Sequence, residues 1–389
     1  DLSAVSSYTK FNVVIHFLCA TGSCGGITEN LKIKIIGTLQ DGCKSPYTRN
    51  VYRHRLNQWI EYLGMDSHSA FVFDELIKIP ISKLKEMVED YVIYRKSCGL
   101  VRSTINNDIA AITHFLRMND VEVSMYKAKK FMPEQIKIRG DKPYTTELLQ
   151  QALRCVAGYT QFNAVIHFLC ATGARGGITE HLKMKHIGGL KDGCKSVLCY
   201  ADTKDEYLTF IHPEAISALD QWLEIRKQRG EIVDKNSWVF CHTNNTSSPL
   251  HEADIDSRLQ SKLKSLDRGE LIHGRYDIAI TYGMRKRWNL ISKLTDGVNP
   301  HLSEKMFAHN SQSLKLDTFY LKPTEEQLLT EYKKFYRELY ISEEYRLKAE
   351  LERKNKIIIE NQEEKDRRLV NQESRIAELE KALKGFTKY

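Results

Sequence analysis

Thirty-nine residues of this chain occur twice. Residues 7–45 match residues 158–196 without a gap, and 29 of the 39 positions are identical. That constrains the architecture at once. A helical solenoid repeats three or more times at a short period, whereas two distant copies are a partial duplication inside some other fold. Each copy reads as an amphipathic helix, Phe11–Ala20 or Phe162–Ala171, then a Thr-Gly turn, then a second helix through Leu31 or Leu182. The copies part just after the turn. Gly22-Ser23-Cys24 in the first becomes Gly173-Ala174-Arg175 in the second, so only one of them presents a guanidinium.

The 389 residues suffice for two or three domains, and 42% hydrophobic with 28% charged residues is the balance of an ordinary globular protein. Net charge is +8, which favours a polyanionic partner. Residues 341–389 hold 12 Lys/Arg and 11 Asp/Glu, so nearly all of the excess belongs to the rest of the chain. Nine cysteines without a Cys-x-x-Cys pair are expected as reduced thiols of a cytoplasmic protein. His16/Cys19 and His167/Cys170 recur as His-x-x-Cys in apolar helical runs, with no second ligand pair, and are expected in the core rather than on a metal. Val13–Ala20 is too short to span a bilayer. Nothing before it reads as a signal peptide, and a chain that opens on Asp1 is expected to have an upstream start.

The pattern divides the chain into residues 1–45, the partial duplicate; 46–135, a small helical domain; 136–145, a basic linker; 146–330, a second domain; and 331–389, a helical tail. In the first helical domain Leu56, Trp59, Ile60 and Leu63 share a face closed by Gly64, while Arg49, Arg53 and Arg55 decorate the remaining surface. Ser82 and Ser103 are expected to cap the next two helices, whose inward faces carry Leu84, Val88 and Tyr91, then Ile105, Ile109, Ile112 and Leu116. Thr145 or Thr146 caps the first helix of the second domain. That domain is mainly helical, interrupted by a strand, polar turn and strand over 196–211. In the tail, Leu369, Ile376, Leu379 and Leu383 follow the spacing of a coiled-coil seam, which Asn355, Gln362 and Lys365 interrupt upstream.

Five polar residues of the second domain stand in an order that can do chemistry: Arg175, Lys204, Arg285, His309 and Tyr320. Two guanidiniums can fork onto the oxygens of one phosphate, and further donors neutralise the charge that grows during displacement. A phenol can attack phosphorus, and a lysine on a hairpin turn can protonate a departing oxygen. No acidic cluster with metal spacing is evident, so phosphoryl transfer without metal or other cofactor fits better than a two-metal nuclease.

In these features the chain resembles the tyrosine recombinases of the phage-integrase family, and the archaeal-type integrases more than the bacterial ones. "CATGARGGITEHLKMKHI" resembles the first arginine box, "TYGMRKRW" the second, and "FAHNSQSLKLDTFY" the closing stretch that ends in the nucleophile. The resemblance covers about residues 47 to 330. It implies a mainly α fold with a small β-sheet: a helical core-binding domain on one face of duplex DNA, and an α+β catalytic domain on the other. It implies that Tyr320 forms a 3′-phosphotyrosyl bond, that Arg175 and Arg285 hold the phosphate, that His309 adds a donor, and that Lys204 protonates the 5′ oxygen. A homo-oligomer, four protomers on two DNA segments, is the implied assembly. Site-specific recombination, as in integration of a mobile element, is the implied activity. The chain departs from the pattern at Tyr282, where the family has histidine, and at Ile178, where it has an acid, with Glu180 nearby.

In the first copy Cys24 replaces Arg175, and a thiol cannot do the work of a bidentate guanidinium. Residues 1–45 are therefore expected to be non-catalytic. Three other readings stand beside a recombinase: a DNA-binding protein derived from one that no longer cuts, a type IB topoisomerase, and a coiled-coil scaffold.

Overall fold

The computed structural model describes residues 46–67, 71–135, 142–272, 274–308 and 321–386; the duplicate at 1–45 lies outside them. The chain divides into two compact units, Asp1–Lys137 and Ile138–Tyr389.

The first unit holds helices α1 (Pro46–Tyr62), α2 (Phe71–Lys78), α3 (Ile81–Ser97), α4 (Arg102–Met118) and α5 (Tyr126–Lys130). The apolar stripes expected from spacing meet in one core. Leu56, Trp59 and Ile60 pack with Leu84, Val88 and Tyr91 and with Ile105, Ile109, Ile112 and Leu116, all buried. The caps differ from expectation. Ser82 and Ser103 lie inside the first turns of α3 and α4, which start after Pro80 and Val101 without a side-chain cap. Pro80 fixes its own φ by its ring, so the chain enters α3 without a hydroxyl to hold it. Arg55 is not surface decoration either. It lies 3.4 Å from the buried Asp108 carboxylate, and Arg95 lies 2.9 Å from it. Burial holds the Asp108 pKa above its ordinary value in spite of both cations. Losing one cation would strand a buried charge.

The second unit opens with α6 (Thr146–Cys155), whose N-cap Thr145 accepts from the Leu148 amide at 3.2 Å. The almost wholly buried α7 (Thr160–Thr172) follows. Strands β1 (Ile187–Lys191), β2 (Cys194–Cys199) and β3 (Tyr207–Ile211) form an antiparallel sheet in that order. The expected hairpin is β2–β3, in register from Lys195↔Ile211 to Cys199↔Tyr207, and β1 is an addition to it. After α8 (Pro213–Gln228) come the short hairpin β4 (Cys241–His242) and β5 (Asn245–Pro249), then α9 (Glu252–Lys262), α10 (Ile280–Leu294), α11 (Pro300–Phe307), α12 (Glu325–Phe335) and α13 (Glu343–Phe386).

The second helix expected through Leu182 does not form in the copy at 158–196. A single 3-10 turn spans Gly176–Glu180, another spans Met184–His186, and β1 begins directly after. Consecutive glycines are poor helix formers. A Cβ on Gly176 would also come within 2.6 Å of the Glu252 carboxylate, so this segment is packed as a turn against α9. His167 and Cys170 are buried on α7. Burial lowers the His167 pKa, which favours the neutral imidazole.

Residues grouped with the tail on sequence grounds belong in part to the core. Tyr332, Phe335, Leu339 and Tyr340 pack with Phe210, Trp288 and Phe307. Helix α13 docks through buried Ala349 and through the ion pairs Arg337–Glu352 (2.8 Å) and Arg353–Glu338 (2.7 Å). From residue 350 to 379 every side chain is exposed. Among the described residues no helix is long and apolar enough to cross a membrane.

Candidate functional site

A helix leaves its last carbonyls without partners, and at the end of α7 long-range donors satisfy them. The Ala171 carbonyl accepts from Trp288 Nε1 (3.0 Å) and from the Tyr332 hydroxyl (2.9 Å). The Thr172 carbonyl accepts from Thr209 Oγ1 (3.3 Å), and the Gly173 carbonyl accepts from Arg285 Nη1 (2.6 Å). Gly173 itself is left-handed, at φ 62°. A Cβ there would lie 2.7 Å from Trp288 Cγ, so both backbone and space demand glycine. The chain is thus stopped and turned, and Arg175 emerges exposed two residues later in extended conformation.

Arg285 sits on α10 and is only 3% exposed. Besides Gly173 it donates through Nη2 to the Phe307 carbonyl (2.6 Å), and its guanidinium lies 3.6 Å from the centroid of the Phe307 ring. One side chain therefore ties the turn that carries Arg175 to the end of α11. Burial is the main cause that lowers the Arg285 pKa, and the nearby charge of Arg175 lowers it further; the Tyr207 and Tyr282 phenols act the other way. Among the described residues its guanidinium bonds two carbonyls, out of the five N–H donors such a group carries.

Tyr282 lies in the first turn of α10, half exposed, with the Lys286 ammonium 5.4 Å from its ring centroid. Tyr200, at the end of the β2 side of the hairpin, is partly buried, and burial pushes its phenol up to about 12 although Arg175 and Arg285 both pull it down. Lys204 is exposed in the β2–β3 turn. Local bonds shape that turn: Thr203 Oγ1 donates to the Tyr200 carbonyl (2.7 Å), and Glu206 accepts from the Asp202 amide (2.8 Å). No described residue pairs with the Lys204 ammonium. His309 and Tyr320 lie outside the described residues, which break off after Ala308 and resume at Leu321. Of the tyrosines that follow in the chain, Tyr332, Tyr336 and Tyr340 are buried in the core, and Tyr345 packs on Tyr340 at 5.4 Å.

Position 178, where the resemblance predicts an acid, carries no polar group. Ile178 is fully buried in the core. Glu180 accepts from the Glu252 amide (2.9 Å) and lies 3.2 Å from His251 Nδ1, at the start of α9. The carboxylate near Arg175 belongs instead to Glu252, which accepts from the Gly177 amide and feels the Arg175 charge. Burial first, then Asp256 and Glu180, hold its pKa above the ordinary value. Sequence reasoning missed Glu252 because nothing local marks it: its role comes from contact with a turn seventy-odd residues away. Among the described residues no group of three or more His, Cys, Asp and Glu could hold a metal ion.

What the arrangement can do is hold an oxyanion between an exposed and a buried guanidinium, beside phenols and a turn that carries a lysine. No protein-family model matches the sequence, and no curated protein matches it. Solved structures do. A lambda integrase tetramer bound to a Holliday junction is similar at 12% identity, with a TM-score of 0.50 over 76% of this chain and 80% of that one. XerH site-specific recombinase bound to its difH substrate is similar at 16% identity, with a TM-score of 0.47 over 78% and 95%. The Tn1549 transposon integrase in complex with transposon right end DNA is similar at 16% identity, with a TM-score of 0.46 over 73% and 98%. At 12% identity the likeness to the lambda integrase is one of fold, and the fold here is mainly helical with a small antiparallel sheet.

Proposed function

We propose that this protein is a site-specific DNA recombinase of the tyrosine recombinase family, an archaeal-type integrase, that cuts and rejoins duplex DNA without metal or nucleotide. The observation that carries the reading is Arg285. Its buried guanidinium bonds the Gly173 and Phe307 carbonyls at once, so the exposed Arg175 and the chain leading to His309 and Tyr320 start from one fixed point. A scissile phosphate held there meets two cations. Tyr320 Oη attacks phosphorus and loses its proton, the bond to the 5′ oxygen breaks, and Lys204 protonates that oxygen. A 3′-phosphotyrosyl bond and a free 5′ hydroxyl result. His309 and Tyr282 add hydrogen bonds to the phosphate, and a 5′ hydroxyl from a second duplex reverses the step. Residues 46–135 supply the second DNA-binding surface, and a homo-tetramer on two DNA segments is the working assembly in the cytoplasm. Binding weakens steeply with salt, because phosphate contacts release counterions.

The test is a nicked duplex suicide substrate in metal-free buffer. A covalent protein–DNA adduct that Tyr320→Phe abolishes supports the reading. Binding with no adduct on any such substrate would leave a DNA-binding protein that does not cut. Relaxation of supercoiled DNA without exchange of partners would point to a topoisomerase.

A further inference from the structure

Helix α13 runs 44 residues, and beyond its docking turns the stretch from residue 350 to 386 continues for about 55 Å. A solitary helix of polar composition gains little from its own hydrogen bonds; in proteins most helical stability comes from packing an apolar face. Intrahelical ion pairs, Glu350–Lys354, Glu360–Lys356, Glu363–Arg367 and Glu364–Arg368, support this one weakly. Yet it also shows large apolar side chains to solvent: Leu351 is 60% exposed, Ile358 63%, Leu369 56%, Ile376 56% and Leu379 61%. These five fall on two heptad positions, while the exposed Ile357, Ile359 and Val370 fall outside them. With Asn355, Gln362, Leu369 and Ile376 at a, Leu351, Ile358, Lys365, Gln372 and Leu379 stand at d, and the pattern continues to Leu383 and Phe386.

We infer that residues 350–386 form a parallel two-stranded coiled coil with the same segment of a second copy of this chain. Charge chooses the occupant and its direction. In this register Arg368 and Arg375 stand at g, and Glu373 and Glu380 at e. A parallel pairing sets g of one helix beside the following e of the other, which matches Arg368 with Glu373 and Arg375 with Glu380 twice over. An antiparallel pairing sets g against g and e against e, so arginine meets arginine and glutamate meets glutamate. Among the described residues neither Glu373 nor Arg375 has an ion-pair partner, whereas Arg368 would exchange Glu364 for its new partner. Asn355 at an a position, between Leu351 and Ile358 at d, is the polar core residue that holds a parallel dimer in register at some cost in stability. The two 142–342 units would then stand at the same end of the zipper. The pairing is independent of the recombinase reading, because only residues of the tail take part in it.

Sedimentation of the full chain over a range of concentrations tests it. Wild type forms a reversible dimer, and Ile376→Asp with Leu379→Asp weakens it by at least ~100-fold while the melting temperature of the remainder stays unchanged. Arg368→Glu/Arg375→Glu and Glu373→Arg/Glu380→Arg each dissociate alone, and mixing the two restores a dimer. Leu369→Cys, at an a position, oxidises to a disulfide-linked dimer that wild type does not give, because parallel helices bring the two copies of residue 369 together. A wild-type chain that stays monomeric, a dimer indifferent to the seam and charge variants, or a Leu369→Cys chain that fails to cross-link would each overturn the inference.

Discussion

The turn that carries Arg175 and the turn that carries Lys204 are built in opposite ways. The first is held from four directions: Trp288, Tyr332, Thr209 and Arg285 all donate to the last carbonyls of α7, and Gly173 leaves no room for a side chain. The second is a hairpin turn shaped by bonds among its own residues 200–206, and its lysine is exposed. In the proposed reaction these constructions suit different tasks. A group that stabilises charge on phosphorus works best when it is already in place. A proton donor has only to reach the departing oxygen. The same contrast separates the two arginines: Arg285 is buried and bonds two carbonyls, whereas Arg175 is exposed, and in the proposed reaction only Arg175 would serve the phosphate alone.

Substitutions can break this contrast, and Arg285→Ala is expected to have the largest effect. It removes two buried, charge-assisted hydrogen bonds and should cost about 3 kcal/mol of stability, seen as a clear fall in melting temperature together with loss of the covalent adduct. Arg175→Cys, which writes the first copy's residue into the second, should also abolish the adduct. Its stability should stay within about 0.5 kcal/mol of wild type, because the side chain is exposed. An Arg175→Cys protein that melts early would mean that the two arginines are not divided as described. Lys204→Ala should slow cleavage about 100-fold with unchanged melting. A substrate with sulfur at the 5′ bridging position should recover most of that loss, since a thiolate leaves without a proton.

The smallest effect concerns Glu252. Its folded pKa is raised by burial, so the folded state binds its proton more tightly than the unfolded chain does. Stability contributed by that proton is present below the unfolded carboxyl pKa and is lost as pH rises toward the folded value. Glu252→Gln cannot lose it. The variant should therefore gain in melting temperature relative to wild type as pH is raised through the carboxylate range, and a difference independent of pH would refute the assignment.

Much of this was legible in the sequence, for a physical reason. Stripes such as Ile105, Ile109, Ile112 and Leu116 encode burial locally, because the helix period alone decides which residues share a face. The β2–β3 hairpin is local in the same sense. Caps were less legible: Pro80 and Val101 begin helices where serines nearby offered better chemistry, since the path of the chain into the helix decided. Arg175 and Arg285 could be picked out, but not the division of labour between them, which depends on the carbonyls of Gly173 and Phe307. Glu252, Trp288 and Tyr332 act on the site across long stretches of chain, and no spacing rule announces such contacts. Likewise residues 331–342 read as a charged helix until Tyr332, Phe335 and Leu339 are seen packed on Trp288 and its neighbours.

The most direct test of the central claim is to find which residue carries the DNA. Wild-type protein would be trapped on the nicked duplex and digested, and the modified residue read from peptide fragment ions. The account predicts a 3′-phosphonucleotide on Tyr320. The same modification on any other residue, or a trapped complex with no covalent nucleotide, would contradict it.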